Sequence, residues 1–273
     1  MTVEYSARSH IGRVRENNED NLYADGVILT PDIRERSFAI DGSACFPAVF
    51  AVCDGMGGEE DGEIASQLAV QTLFTSAGKI KSNISRQLYE TIQSYVNDVN
   101  ESIHSETNRS GRRMGTTLAL AAAAESGIFC FNLGDSRIYS LQRKDFRQIT
   151  NDHTLAAEQI RNGIITANQA ANLKGGNKLV RCIGIGDNLT VEGYPPISGK
   201  CRVLICSDGL TDMVREAEIE NVLRASGGAA EAADRLLDAA LKNGGKDNVT
   251  LIVIDIKDSK IPFLHSIVNK LKG

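Results

Sequence analysis

The chain has 273 residues, enough for one large domain or two small ones. Its net charge of -5 argues against a general nucleic-acid-binding protein, because phosphate backbones attract basic surfaces. Since no signal-peptide pattern opens the sequence and no apolar run approaches the roughly 18 residues of a membrane span, we expect a cytoplasmic protein without an integral membrane segment.

The first half of the chain predicts strands followed by two helices. Weak alternation over residues 3–8 indicates a first strand, and residues 22–47 show no periodic pattern. The apolar run 48–53, rich in Val and Phe, predicts a buried strand. Apolar side chains at helical spacing then predict helices over residues 61–77 and 84–106.

The second half returns to strands and ends in a tail. Apolar runs predict strands, and the spacing downstream predicts further helices. The strands are 116–124, 128–133, 137–141, 202–207 and 249–256, and the helices are 216–225 and 229–242. Residues 150–186 are polar, with short helical pieces near 154–162 and 167–173, and indicate a flap on the surface. The tail, 259–273, predicts an amphipathic helix that docks on the domain; a partner-binding or membrane-surface helix is the alternative.

Acidic residues recur at the ends of predicted strands and in glycine-flanked turns. They are Glu19, Asp20, Asp54, Asp135, Asp208 and Asp247. Each alone also fits an ordinary turn or a solvated loop. In a sheet protein such positions can converge at one rim, where cations relieve the repulsion between carboxylates. A cluster of oxygen ligands without Cys or His suits Mg²⁺ or Mn²⁺.

Such a cluster points to phosphate chemistry. Two ions about 3.5–4 Å apart lower the pKa of a shared water and neutralise a phosphate dianion. Phosphoryl transfer depends on this positioning and electrostatics more than on covalent chemistry. Arg15, four residues before Glu19, is the candidate for bidentate binding of the phosphate.

Six short motifs follow one another over roughly residues 5–256. They are Arg15…Asn18-Glu19-Asp20-Asn21, Val52-Cys53-Asp54-Gly55-Met56-Gly57-Gly58, Gly115-Thr116-Thr117-Leu118, Gly134-Asp135-Ser136-Arg137, Ser207-Asp208-Gly209-Leu210 and Lys246-Asp247-Asn248-Val249-Thr250. In this order they resemble the bacterial branch of the metal-dependent protein phosphatases, protein phosphatase 2C. The resemblance implies an α+β four-layer sandwich, in which two central antiparallel β-sheets are flanked by α-helices. It places the phosphatase domain at 1–258, with the small flap at about 150–186.

The resemblance also implies an activity. It predicts a protein serine/threonine phosphatase that hydrolyses phosphoserine and phosphothreonine through a water activated by a binuclear metal centre. The cofactors are two Mn²⁺ or Mg²⁺ ions per site, with a weaker third. The expected partners are phosphorylated proteins, and the enzyme is expected to oppose a bacterial Ser/Thr protein kinase.

The matching motifs assign a role to each residue by resemblance. Asp54 bridges the two metals, Asp208 and Asp247 complete the shell of one, and Glu19 and the Gly55 carbonyl serve the other. Asp20 orients waters or Glu19, and Asp135 shares the third ion with Asp208. Arg15 docks the phosphate and Asn248 supports Asp247.

Two positions depart from the family pattern. Met56 and Glu59 stand where relatives often carry histidine, so the proton donor to the leaving group is not assigned, and a water on a metal ion could supply the proton. For His153, near the flap, a structural role is favoured over proton donation. Two other functions are weighed: a phosphoprotein-binding module without catalysis, and a phosphatase for small phosphate esters. The intact carboxylate set argues against the binding module.

Overall fold

The structure is a computed structural model that describes residues 2–30, 37–57, 61–84, 86–143, 145–170, 172–186 and 189–256. Its strands are β1 Thr2–His10, β2 Asp20–Ala24, β3 Val27–Ile28, β4 Ser37–Cys45, β5 Ala48–Gly57, β6 Met114–Thr116, β7 Leu118–Ala124, β8 Gly127–Leu133, β9 Arg137–Gln142, β10 Asp145–Gln148, β11 Glu192–Gly193, β12 Cys201–Cys206 and β13 Val249–Ile256. Its helices are α1 Asp61–Asn83, α2 Leu88–Ser110, α3 Leu155–Arg161, α4 Ala167–Ala170, α5 Asp208–Thr211, α6 Glu216–Ala225 and α7 Ala229–Lys242.

The strands form two antiparallel sheets. The first has the order β10-β9-β12-β13-β1-β4, and the second has the order β11-β8-β7-β5-β2-β3, with β6 added beside β5. Apolar side chains from the inner faces of both sheets pack into one shared core. Helices α1 and α2 cover the outer face of the second sheet, and α5, α6 and α7 cover that of the first. The predicted α+β sandwich of sheets between helices is confirmed.

The central strands are continuous apolar runs because both of their faces are covered. In β5, Phe50 and Val52 face the other sheet, whereas Val49 and Ala51 pack toward α1 and α2. Every residue of β13 is buried, since it lies between the second sheet and the helix layer. This two-sided burial is what the apolar pattern of these segments predicted.

Several predicted boundaries are wrong. Residues 22–47 contain most of β2 and all of β3 and β4. The sequence pattern did not predict β4 because its side chains are mostly exposed or half-buried on an edge strand. The helix predicted over 61–77 extends to Asn83. The helix predicted over 84–106 begins at Leu88 and extends to Ser110, where Gly111 ends it in the left-handed conformation with φ 73°. The predicted tail helix lies outside the described residues.

The apolar strands also carry thiols. Four cysteines, Cys53, Cys130, Cys201 and Cys206, are buried and free. Among the described residues, no helix is both long enough and apolar enough to cross a bilayer.

Candidate metal centre

The predicted acids come together where the two sheets meet at one rim. Asp20 begins β2 and stands opposite Asp54 of β5 in the antiparallel register. Asp208 follows the end of β12 and Asp247 precedes the start of β13, and these strands are antiparallel neighbours of the other sheet. The carboxylates therefore approach each other from both sheets. Burial raises the pKa of Asp54 well above its ordinary value, and the charges of Asp20, Asp208 and Asp135 raise it further.

The Gly-Thr-Thr segment holds the backbone of Asp54. The Asp54 N–H donates to Thr117 Oγ1 at 2.9 Å. Its carbonyl accepts from the Thr117 N–H at 2.8 Å and from Thr116 Oγ1 at 3.0 Å. Thr117 Oγ1 also lies 2.6 Å from Ser136 Oγ, which follows Asp135. The two threonines therefore fix one acid and link it to the turn that carries another.

Asp20 is a buried carboxylate whose two oxygens differ in their contacts. Its Oδ2 accepts from Ser207 Oγ at 2.7 Å. Its Oδ1 has no hydrogen-bond partner among the described residues, and the side chain is 1% exposed. Burial raises the pKa of Asp20 to about 7, and the neighbouring charges of Asp208 and Asp247 act in the same direction. An orphaned buried oxygen of this kind calls for a compensating group.

Asp208, Asp135 and Asp212 form the other side of the cluster. Burial, together with the charges of Asp212 and Asp247, raises the pKa of Asp208 to about 6. Burial likewise raises the pKa of Asp135 to about 7, with Asp208 adding to the effect. The sequence analysis missed Asp212, which lies one helical turn after Asp208 and whose N–H donates to the Asp208 carbonyl at 2.8 Å. The i, i+4 spacing of the two acids was the available signal.

Asn248 ties the loop that carries Glu19 to the start of β13. Its Oδ1 accepts from the Glu19 N–H at 2.8 Å. Its Nδ2 donates to the carbonyls of Ile11 and Asn17 at 2.9 and 2.8 Å. Its own N–H donates to Asp247 Oδ1 at 2.8 Å. Asn248 thus positions two of the predicted ligands, Glu19 through its side-chain amide and Asp247 through its backbone N–H.

Glu19 and Gly55 meet at a tight crossing with helix α1. The Gly55 N–H donates to the Glu19 carbonyl at 3.1 Å. A Cβ on Gly62, in the first turn of α1, would lie 2.8 Å from Glu19 Oε1. Gly62 therefore lets the helix approach the carboxylate, a role that the sequence analysis missed.

Arg15 lies at the edge of the cluster. Its guanidinium donates to Asp247 Oδ2 at 2.7 Å, and its side chain is 48% exposed. The charges of Glu19 and Asp54 also act on Arg15. The predicted phosphate-docking residue is therefore close to the acids and open to solvent.

The donor set fits hard divalent cations. Its candidate ligands are oxygens, several of its acids repel one another, and Asp20 carries an orphaned oxygen. Within the part of the chain that the structure describes, no three Asp, Glu, His or Cys side chains already form a coordination cage. The fit therefore rests on the uncompensated charge and on the orphaned oxygen, which bound cations would relieve.

His153 has a structural role. The ring is fully buried; its Nδ1 accepts from the Gly134 N–H at 3.1 Å and its Nε2 lies 2.8 Å from Glu192 Oε2. Because both ring nitrogens are engaged, His153 supports the turn before Asp135 and is not available as a proton donor. Met56 pairs with Gly115 across β5 and β6, whereas Glu59 lies outside the described residues.

Solved structures of phosphatases share this architecture. The crystal structure of the Mycobacterium tuberculosis serine/threonine phosphatase PstP/Ppp is 30% identical, with a TM-score of 0.78, and the match covers 94% of this chain and 100% of that one. A crystal structure of the catalytic domain of serine/threonine protein phosphatase PstP in complex with two manganese ions is 32% identical, with a TM-score of 0.74 and the same coverage. The fold and the acidic rim thus define a phosphoprotein phosphatase.

Sequence comparison identifies the family. The family model described as protein phosphatase 2C matches residues 37–244. The serine/threonine phosphatase stp of Listeria innocua serovar 6a is 34% identical over 252 residues, which are 91% of this chain and 94% of that protein. The chain belongs to the protein phosphatase 2C family, and the resemblance inferred from the six motifs is confirmed.

Proposed function

We propose that this phosphatase removes phosphate from phosphoserine and phosphothreonine in proteins with the help of divalent cations. The observation that carries the proposal is the acidic rim, where Asp54, Asp208 and Asp247 meet beside the exposed guanidinium of Arg15. Similarity to the stp phosphatase and to the manganese complex of PstP supports the substrate class and the metal. Mn²⁺ is the first ion to test, with Mg²⁺ as the alternative.

The residues that would hold two cations are those assigned by the motifs. Asp54 would bridge them, with Asp208 and Asp247 on one ion and Glu19 and the Gly55 carbonyl on the other. Asp135 would share a weaker third ion with Asp208. When bound, such a pair of ions supplies a water nucleophile near neutral pH and neutralises the phosphate dianion.

The chain itself binds and orients the substrate. Arg15 docks the phosphate by exchanging its pairing with Asp247 for two phosphate oxygens, since a guanidinium fork matches that geometry. Asn248 keeps Asp247 and the Glu19 loop in register. Asp20, held by Ser207, adds negative charge behind the cluster and orients the ligands from within the core.

We infer that residues 1–258 form the phosphatase domain and that the flap at about 150–186 influences which substrates reach the rim. The end of the flap supports its role at the rim. Ile183 exchanges two backbone hydrogen bonds of 2.9 Å with Thr116, whose hydroxyl donates to the Asp54 carbonyl. The natural substrates would be phosphoproteins of a cytoplasmic signalling pathway. A Ser/Thr kinase would phosphorylate them, and this enzyme would reverse that reaction.

Release of phosphate from a phosphothreonine peptide tests the proposal. We expect turnover with Mn²⁺, none with excess chelator, and none for Asp208→Ala with Mn²⁺ restored. Asp238→Ala, an exposed acid on helix α7, is the matched control and should retain turnover. Circular dichroism checks that both variants are folded. Native-like turnover by Asp208→Ala would contradict the site assignment, and turnover restricted to small phosphate esters would contradict the substrate class.

A further inference from the structure

A second basic side chain shares a cleft with Arg15. The turn that follows β1 borders a cleft of about 660 Å³. Its lining residues are His10, Ile11, Gly12, Arg13, Arg15 and Glu16. The cleft opens beside the proposed phosphate-docking residue, so a substrate bound there would also meet Arg13.

The turn is anchored to the loop that carries Asp247. Gly12 has φ 87°, and a Cβ at this position would lie 2.3 Å from the Asp247 carbonyl oxygen. The Arg13 N–H donates to the Gly245 carbonyl at 2.6 Å. The backbone of the turn is therefore fixed against the predicted metal site, independently of the side chain of Arg13.

The guanidinium of Arg13 has no structural partner in the described part of the chain. Buried or half-buried arginines elsewhere are paired, such as Arg8 with Asp41 and Arg137 with Asp152. Arg13 is exposed, and its side chain makes no hydrogen bond or ion pair to any described residue. Its charge acts on His10, whose pKa is lowered first by burial and then by Arg13. His10 Nδ1 accepts from the Gly12 N–H at 2.8 Å, so the ring helps to frame the turn.

We propose that Arg13 binds a second anionic group of the phosphoprotein substrate, carried about two residues from the phosphorylated residue. The inference rests on the proposed function and adds a specificity subsite to it. Residues two apart, such as Arg13 and Arg15, have Cα atoms at most about 7 Å apart. Because Arg13 lies in a turn, this spacing is shorter than the advance of about 7 Å that an extended peptide makes over two residues, and the long arginine side chains can span the difference.

Glu16 lies in the same cleft and has the opposite effect. It is exposed and would repel an anionic group that approaches Arg13. Replacing Arg13 and replacing Glu16 are therefore expected to change the preference for anionic substrates in opposite directions. Neutralising Arg13 should weaken the preference for anionic substrates, whereas neutralising Glu16 should strengthen it.

The experiment compares three phosphothreonine peptides that differ only at the positions two residues before and two residues after the phosphothreonine. The first peptide carries glutamine at these positions, the second carries glutamate, and the third carries a non-hydrolysable phosphonate analogue of phosphothreonine. The measured quantity is kcat/KM for each anionic peptide divided by kcat/KM for the glutamine peptide. We expect this ratio to exceed one for the wild type and to fall by up to about fivefold in Arg13→Gln, as for the loss of one exposed ion pair. In Glu16→Gln the ratio should rise.

Two controls separate charge recognition from a change of fold. Arg86→Gln removes an exposed arginine beyond the far end of helix α1 and should keep the wild-type ratio. Raising the ionic strength from about 0.1 M to about 1 M shortens the Debye length from about 10 Å to about 3 Å, so the wild-type ratio should approach that of Arg13→Gln.

The outcomes are distinct. Equal ratios in the wild type and Arg13→Gln, in an enzyme that hydrolyses all three peptides, would overturn the subsite and leave the proposed function intact. Failure of the wild type to hydrolyse any of them would overturn the proposed function and the subsite with it. A larger loss on the glutamate peptide than on the phosphonate peptide would identify a carboxylate as the anion, and the reverse a phosphate group.

Discussion

Replacing Asp20 with asparagine tests whether the acidic cluster destabilises the metal-free protein. Asp20 is buried, its Oδ1 has no partner among the described residues, and its pKa is raised from 3.8 to about 7. The folded protein therefore holds this proton more tightly than the unfolded chain does. The free energy of unfolding should fall as pH rises from about 4 to about 7 and should level off above that range.

The magnitude follows from the same values. One pKa unit is worth about 1.4 kcal/mol, so a rise from 3.8 to about 7 corresponds to up to about 4 kcal/mol at pH 8. The asparagine side chain carries no charge at any pH, so the Asp20→Asn variant should lack this share of the pH dependence. Its amide would leave a buried N–H near the position of Oδ1, which costs about 1–3 kcal/mol at every pH and does not change the slope.

The assay is urea unfolding in excess chelator, followed by circular dichroism between pH 5 and pH 8. We expect the wild-type free energy of unfolding to decline steeply between pH 5 and pH 7, and that of Asp20→Asn to decline less, by up to about 3 kcal/mol, because roughly two of the three pH units of the shift lie inside this interval. Asp238→Asn, on the exposed side of helix α7, should follow the wild type. Parallel curves for the wild type and Asp20→Asn would refute the reasoning, because they would show that Asp20 binds no extra proton in the fold.

Two further changes test the site. Arg15→Ala should mainly raise KM for phosphopeptides, because the exposed guanidinium is the proposed phosphate ligand; steady-state kinetics beside Arg86→Ala measure this, and an unchanged KM would show that the phosphate docks elsewhere. Asn248→Ala should destabilise the protein by about 2–3 kcal/mol, because it removes three partly buried hydrogen bonds of about 1 kcal/mol each, and should weaken Mn²⁺ binding. Urea unfolding and Mn²⁺ titration check this against the exposed Asn97→Ala, and wild-type Mn²⁺ affinity would argue against the positioning role.

The fold could be predicted from the sequence where burial dictates the pattern. The first six residues of strand β5 and most of strand β13 are apolar because both faces are covered, and helices α6 and α7 have the predicted bounds. Strand β4 was missed because it is an edge strand whose side chains are mostly exposed or half-buried, so neither face has a continuous apolar pattern. Its position is set by nine residues of backbone pairing with β1, which single-residue preferences do not encode.

The acids of the site could be predicted because a strand end places a side chain at the rim of a sheet. What holds them could not, because the partners are distant in sequence. Ser207 donates to Asp20 across 187 positions, and Asn248 accepts from the Glu19 backbone across 229. Both contacts arise only when strands of the two sheets meet at one end of the sandwich. A periodic pattern reports on neighbours within one element, so it locates the carboxylates but not the hydrogen bonds that fix their orientation or the burial that raises their pKa values.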